Sequence, residues 1–524
     1  MSELRDPGLA WAALTTTALR GTERAARGPV ALPEPLAALC KSDADAEAQL
    51  LRAIALLAPV LRAGQVPSKS SASLPPEATP DTQPQAGPLA SHALSVILGG
   101  EQPDLLREWC ESARSAQRRV PEHLLPAFLN ALIAPANAAV AQAMREVLGM
   151  RGAWLAQLNP AWRSALAVSV SDSDAMWHVG TRAERIAVLR ARRSRDPGAA
   201  HALLQHTLAA EQPDDLAAFL DCLAVGLSMA DHELLEGLLD AKHKAVRMAS
   251  ARLLSALPQS ACAARMVERV RPLLTFTPPQ AGLLKKRKAE LVVQLPEACD
   301  KAMTRDGIDG NRKRGKLGPK AMVLVQLLAA TPLGWFTQTW NTEPRTILDA
   351  ARAGEWAEAC LLGWSEACLL QRDPTWSEAV LACYSEAAPT MLESLERDTL
   401  PGLFALLDRA QRESFMSALL KRRGAAVHDD WVLRCLGSMD YAWSEGFSRT
   451  FWGVALANYF VAYRYPLRGL LPKLVARTPV AVAAEAVRDW PVTSEDWEPA
   501  DQRALDEITT MIELRKSYLT ELCS

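Results

Sequence analysis

Between Arg182 and Leu257 apolar residues recur at the spacing of an α-helix, and the breaks between the runs are long enough only to reverse the chain. Leu216, Phe219, Leu220 and Leu223 stand at i, i+3, i+4 and i+7, which puts them on one stripe. Leu234, Leu235, Leu238 and Leu239 form the next stripe, then Val246, Leu253, Leu254 and Leu257. Between them lie Glu211-Gln212-Pro213, Gly226-Leu227-Ser228 and Asp240-Ala241-Lys242-His243. Helices joined by such turns pack as antiparallel neighbours, and a continuing series of pairs makes a solenoid. The expected fold is all-α, an α-α superhelix of antiparallel helix pairs, with Leu220, Leu223, Leu235, Leu239, Val246 and Leu254 buried between layers.

The rest of the chain divides by composition. Residues 1–63 read as an N-terminal helical module. Residues 64–88 are crowded with Pro, Ser, Thr and Gln, cannot repay the entropy of ordering, and read as a disordered linker. Residues 89–300 carry the helical repeats, 301–320 form a basic glycine-containing loop, and 321–524 are helical and rich in tryptophan, with echoes at Trp356, Trp364 and Trp376. Their spacings of eight and twelve are too irregular for a repeat unit, so helix–helix core is the default place for these rings. Lys and Arg total 58 against 60 Asp and Glu, which excludes the global basic excess of a nucleic-acid coat. No apolar run approaches the ~20 residues of a membrane span, and the start lacks a signal peptide's apolar stretch, so a cytoplasmic protein without a membrane partner is expected. The 10 cysteines are scattered; Cys360 and Cys368, eight apart on a helix, are too distant to share one zinc ion.

Three patterns approach known chemistry. Gly310-Asn-Arg-Lys-Arg-Gly315-Lys316 satisfies part of a phosphate-binding loop, but Leu317 stands where the Mg²⁺ hydroxyl belongs and Pro319 follows. His232-Glu233-Leu234-Leu235-Glu236 stops one residue short of a metalloprotease motif. Ser228 with Asp231 three residues on reads instead as a helix-capping pair. The third is basic content: Arg182, Arg185, Arg190, Arg192, Arg193 and Arg195 on one segment, Lys285-Lys286-Arg287-Lys288 on another, and the 305–320 loop, where six cations face Asp306 and Asp309. Such residues hold DNA phosphates in some helical arrays, yet arginine on a helix exterior is also ordinary solvated surface, and no aromatic interleaving marks a stacking platform. No nucleophile elbow occurs, so no catalytic, metal or cofactor residues are assigned.

The stretch from Leu238 to Leu254 resembles the second half of a HEAT repeat, with Asp240, Val246, Arg247, Ala249, Leu253 and Leu254 matching in order. A wider resemblance is carried by Trp11-Ala-Ala-Leu14, Ala18-Leu-Arg-Gly-Thr-Glu-Arg24, Leu295-Pro-Glu-Ala-Cys299, Gly318-Pro-Lys-Ala321 and Gly363-Trp364. On these residues the chain resembles DUF5691, a bacterial family of unknown function. The resemblance implies a helical-repeat protein whose genomic neighbourhoods encode MoxR-type AAA+ ATPases and von Willebrand A-domain proteins. It carries no catalytic residues over.

The functional expectation is a non-enzymatic scaffold or adaptor, without cofactor, that binds a protein partner such as one of those two. Arg312, Lys313, Arg314, Lys316 and Lys320 are the candidate contact residues, on a surface loop expected to have little order without its partner. The alternative is a HEAT-like nucleic-acid-binding protein using concave-face cations and the 305–320 loop. One continuous positive groove favours nucleic acid, and a groove of mixed or acidic charge favours protein.

Overall fold

A chain with 34 prolines can be this helical only if most of them stand where a helix needs no N–H. Many do: Pro88–Leu98, Pro197–Thr207, Pro213–Cys222, Pro319–Ala330, Pro344–Arg352, Pro374–Glu386 and Pro499–Cys523 each begin with proline. In a computed structural model of the chain the described residues are 7–23, 32–33, 36–40, 45–63, 75–166, 174–280, 287–386, 398–423, 430–492 and 496–523. They are mostly helical and all-α in class, and the chain divides into two units, Met1–Glu77 and Ala78–Ser524.

In the smaller unit Pro7–Arg20 packs on Ala46–Ala63. Its core is Ala10, Leu14, Leu32, Leu50, Ala53 and Leu57.

The larger unit is built round two helices with almost no polar face. Pro319–Ala330 is buried from Ala321 to Ala330, and Ala357–Gln371 is buried along most of its length. They cross closely because Gly363 has no side chain: a Cβ there would stand 2.7 Å from the Leu328 Cβ and 3.0 Å from the Val325 carbonyl oxygen. Trp364, Phe336 and Trp376 fill the adjoining space, with ring centroids 5.6 and 5.7 Å apart along the series Phe336, Trp364, Trp376. Trp364 and Trp376 are core, whereas Trp356 is only partly buried. No single described helix is long and apolar enough to cross a membrane; Pro319–Ala330 and Leu333–Trp340 together match by composition but are bent by 87°.

Around this pair many of the described helices pack on a neighbour one or two places along the chain. Leu220, Leu223, Leu235, Leu239, Val246 and Leu254 are all buried. The last helix, Pro499–Cys523, also packs on the unit's first, Pro88–Leu98. There Glu521 accepts from the Leu89 and Ala90 amides at 3.2 and 2.7 Å, satisfying orphan donors of that helix from the far end of the sequence. Arg515, 1% exposed, donates to both Glu108 oxygens and to the Val475 and Thr478 carbonyls.

Three expectations change. The helical series is interrupted by an antiparallel hairpin, Leu274–Thr277 with Glu290–Val293, in the register Leu274 to Val293 and Thr277 to Glu290. Phe276 stacks on Trp340 at 5.0 Å, which anchors it. The segment read as a linker ends earlier than Pro88. Residues 64–74 lie outside the described residues, but Ala86 donates to the Arg119 carbonyl at 2.9 Å and Arg119 to the Pro84 carbonyl at 3.0 Å. Asp81 meanwhile accepts from the Met150 amide. Backbone pairing holds a stretch that has few side chains to bury.

The 301–320 segment is not a free loop either. It opens with the helical turn Lys301–Arg305, capped by Asp300, and buries Asp306, Ile308 and Leu317. Gly307 has φ +88° and lies so close to the Lys244–Ser255 helix that a Cβ would come within 2.4 Å of the Ala251 Cβ. Asp309 exchanges two hydrogen bonds with the Gln326 side chain at 2.9 and 3.0 Å. The segment is a strap tied to two helices.

Replacing Leu254 with Ala should destabilise the larger unit by ~2–5 kcal/mol. Gly363→Ala should destabilise by ~1–3 kcal/mol, because overpacking at the crossing outweighs the gain in helix propensity. Denaturant titration followed by circular dichroism measures both, and an unchanged midpoint for Leu254→Ala would remove that residue from the core.

Candidate functional site

Opposite their core stripes, four helices present a second stripe to a shared groove. Pro213–Cys222 offers Asp214, Ala217, Ala218 and Asp221, and Lys244–Ser255 offers Ala245, Met248, Ala249 and Arg252. Both sets follow the spacing i, i+3, i+4, i+7 of a single helix face. Gln326, Ala329 and Ala330 come from Pro319–Ala330, and Glu366, Leu369 and Leu370 from Ala357–Gln371. The strap closes one wall with Asp306, Gly307, Ile308 and Arg312. The space is about 630 Å³, of ligand-pocket size but with an alanine floor and charged lips.

The charges on the lips are mixed and largely paired. Arg182 meets Asp215 at 3.3 Å, and Arg252 meets Asp221. Arg312 and Arg314 both reach Glu366, at 3.1 and 3.6 Å. Of the five candidate contact residues, these two arginines are therefore committed to a partner within the chain. Lys313, Lys316 and Lys320 are exposed and have no ion pair among the described residues.

Asp306 joins the strap to the helix behind it. Arg265 holds both its oxygens at 2.8 and 2.9 Å, and Arg269 and Arg305 add contacts at 2.7 and 3.1 Å. Burial alone would raise this carboxyl's pKa, but the hydrogen bonds from Arg265 and Arg269 outweigh it and hold the group below its usual range. Arg305 continues to Asp240 at 2.6 and 2.8 Å, so the aspartate of the 240–243 turn binds the strap. Arg247 of the same motif donates to the Ala241 and Lys242 carbonyls at 2.7 and 2.8 Å, sealing the preceding turn.

The other sequence patterns resolve into scaffolding. The capping box of Ser228 and Asp231 is present as expected. His232 accepts from the Ala261 amide at 3.2 Å and Glu236 from the Cys262 amide at 2.7 Å, so this pair caps the helix Ala261–Val270. In the 310–316 segment the Asn311 and Arg312 amides turn back to Asp309, while Arg314 and Leu317 bond each other's backbone. The amides of Asn311, Arg312 and Arg314 are thereby spent within the chain and not offered to a phosphate.

Two of the arginines read as exterior turn inward. Arg193, 1% exposed, donates to both oxygens of Asp231 at 3.1 and 2.9 Å and to the carbonyls of Pro197, Leu223, Val225 and Gly226. Arg185 lies over the rings of Trp177 and Phe219, 4.6 and 4.7 Å from their centroids. Lys285 and Lys286 lie outside the described residues. Cys360 and Cys368 are fully buried, and burial pushes the Cys360 thiol up to about 12.

The Asp306 cluster fixes a pH dependence. A carboxyl whose folded pKa is depressed contributes stability that is complete above its unfolded pKa of ~3.9 and is lost as pH falls through the lower folded value. Asp306→Asn should destabilise the larger unit at pH 7 by up to the ~3–5 kcal/mol of a broken buried pair, read as a lowered melting temperature. The gap to wild type should close below about pH 3.9, and a gap independent of pH would contradict the ionic role.

No curated protein matches the chain. The sequence profile of a family of unknown function, DUF5691, matches residues 13–522, so nearly the whole chain is accounted for, and the protein belongs to that family.

Proposed function

We propose that this chain is a non-enzymatic, cytoplasmic scaffold of HEAT-like superhelical type, and that the alanine-floored groove is where it holds a protein partner. The observation that carries the reading is the groove's charge: Arg182, Arg252 and Arg312 on its lips are each paired with an acid of this chain. Nucleic-acid affinity rests on cations free to displace counterions from phosphates, and arginines already spent on carboxylates supply little of that. A small-residue floor between polar lips is instead the form of a protein-docking groove. The partners that the family resemblance implies are a MoxR-type AAA+ ATPase or a von Willebrand A-domain protein.

Ala218 and Ala245 line the groove and are among the more exposed of its alanines. Affinity capture from the native host with wild-type chain, followed by mass spectrometry and binding assays with the purified ATPase and A-domain protein, should recover one of them. Filling the groove by Ala218→Trp with Ala245→Trp should weaken that capture at least about tenfold, ~1.4 kcal/mol, with the circular dichroism spectrum unchanged. Steeply salt-dependent oligonucleotide binding by the wild type, lost in the filled groove, would overturn the reading.

A further inference from the structure

Side-chain hydrogen bonds between described residues fall into two sets by how far they reach along the chain. One set joins residues at most 70 positions apart. The other spans 303 positions or more, and all its members join the opening helices of the larger unit to residues between Asp440 and Glu521. Glu108 accepts from Arg515 at 2.7 and 2.6 Å and from the Tyr518 hydroxyl, and Glu521 accepts from the Leu89 and Ala90 amides. Asp440 accepts from Asn137 at 2.6 Å and, through its carbonyl, from Arg107. Three acidic residues thus take every bond of the long-reaching set, along one seam.

Each side of the seam has neighbours of its own. Pro88–Leu98 packs on Leu106–Ser115, while Pro499–Cys523 packs on Leu471–Arg477 and Val480–Arg488. Helices held by chain neighbours do not depend on a contact between the two ends, so losing that contact need not unfold what lies between. The closed seam also carries an opposing cost. A cleft of about 70 Å³ within it is lined by Asp104, Arg107, Glu111, Asp440, Lys473 and Arg477, among others. Asp104 has no ion pair among the described residues, and burial raises its pKa by more than Lys473 and Arg477 lower it. Burial likewise lowers the pKa of Arg477, against the pull of Asp440 and Asp104. Parting the seam returns both charges to water.

We propose that this seam is a latch: the first and last helices of the larger unit part as a separate step, with the helices between them still packed, and the unit exchanges between a closed and an open form. Glu108, Asp440 and Glu521 hold the latch shut, and the desolvated charge of Asp104 presses it open. A ligand that binds one form better than the other shifts the balance by its differential affinity. The seam cleft shares no residue with the alanine-floored groove, so the latch stands whatever the groove holds.

The test uses the full chain with Cys40→Ser and Cys299→Ser, carrying a fluorescence donor and acceptor on the exposed Cys523 and on Ser95→Cys, an exposed position of Pro88–Leu98. Energy transfer reports the seam and circular dichroism reports the helices, both followed through one urea titration. Transfer should fall at lower urea than helicity. Glu108→Gln with Glu521→Gln weakens charge-assisted hydrogen bonds on both sides and should raise the opening constant at least about tenfold, moving the transfer midpoint down while the main helical transition stays in place. Asp104→Asn, of nearly the same shape, removes the opposing charge and should move the transfer midpoint up. The two variants therefore act with opposite sign, and the second tests the latch even where the first unsettles the fold. Transfer and helicity that fall together in the parent chain and in both variants overturn the proposal. A transfer midpoint lowered by Asp104→Asn overturns it as well.

Discussion

The close crossing of Pro319–Ala330 with Ala357–Gln371 is the constraint from which the larger unit is organised. Helices that are apolar over most of their surface have little side they can leave in water, so each of these two is covered along most of its length. Gly363 lets their backbones approach until Leu328 and Val325 leave no room for a methyl group. Each is then covered from outside: Ala261–Val270 and Lys244–Ser255 pack on the first, while Pro344–Arg352, Pro374–Glu386 and Thr399–Leu406 pack on the second. Removing the glycine would push apart not one contact but the axis on which these neighbours are registered.

Arginine supplies a second organising device. Arg193, Arg464 and Arg515 are each nearly or wholly buried, and each reaches a carboxylate at least 37 residues away: Asp231, Asp501 and Glu108. A buried ion pair is a poor source of net stability, since desolvation offsets much of the attraction. What these guanidiniums add is direction. Arg193 also gathers the Leu223, Val225 and Gly226 carbonyls, left open where Pro213–Cys222 ends and the turn begins, together with the Pro197 carbonyl at the start of another helix, and Arg515 gathers two more at a helix end. Helix ends, rather than helix faces, are what these pairs bring into register.

How much of this could be read in the chain depended on whether the signal was local. Leucine spacing is local, and of the stripes from Leu216 to Leu257 all members lie in the core except Leu234 and Leu238, which are partly buried against it. The Ser228 and Asp231 box is local and forms. Glu236 is different: its neighbours in sequence suggest half of a metal motif, while its partner is an amide 26 residues on, at the start of another helix. The hairpin was concealed for the same reason. Leu274–Thr277 and Glu290–Val293 are four residues each, too short to stand out against an Ala- and Leu-rich background, and Phe276 finds its support only at Trp340. The groove stripe was visible in principle, as alanines at 217, 218, 245 and 249 opposite the leucine stripes, but small residues spaced this way equally describe helix–helix contact.

The strap shows why counting charge along a sequence overstates what a partner can feel. Six cations against two acids over residues 305–320 describe a basic segment only if nothing folds onto it. Arg305 is answered by Asp240, and Arg312 and Arg314 converge on Glu366, so carboxylates 52 to 65 residues distant absorb much of the field. What survives pairing is a small set of lysines, which suits them to selection more than to affinity. A lysine ammonium is a strongly hydrated point charge on a flexible stem, whereas arginine's planar fork makes fixed bidentate bonds. The structure uses the two accordingly: Arg312 and Arg314 hold the strap against the groove wall through Glu366, and Lys313, Lys316 and Lys320 are exposed to solvent.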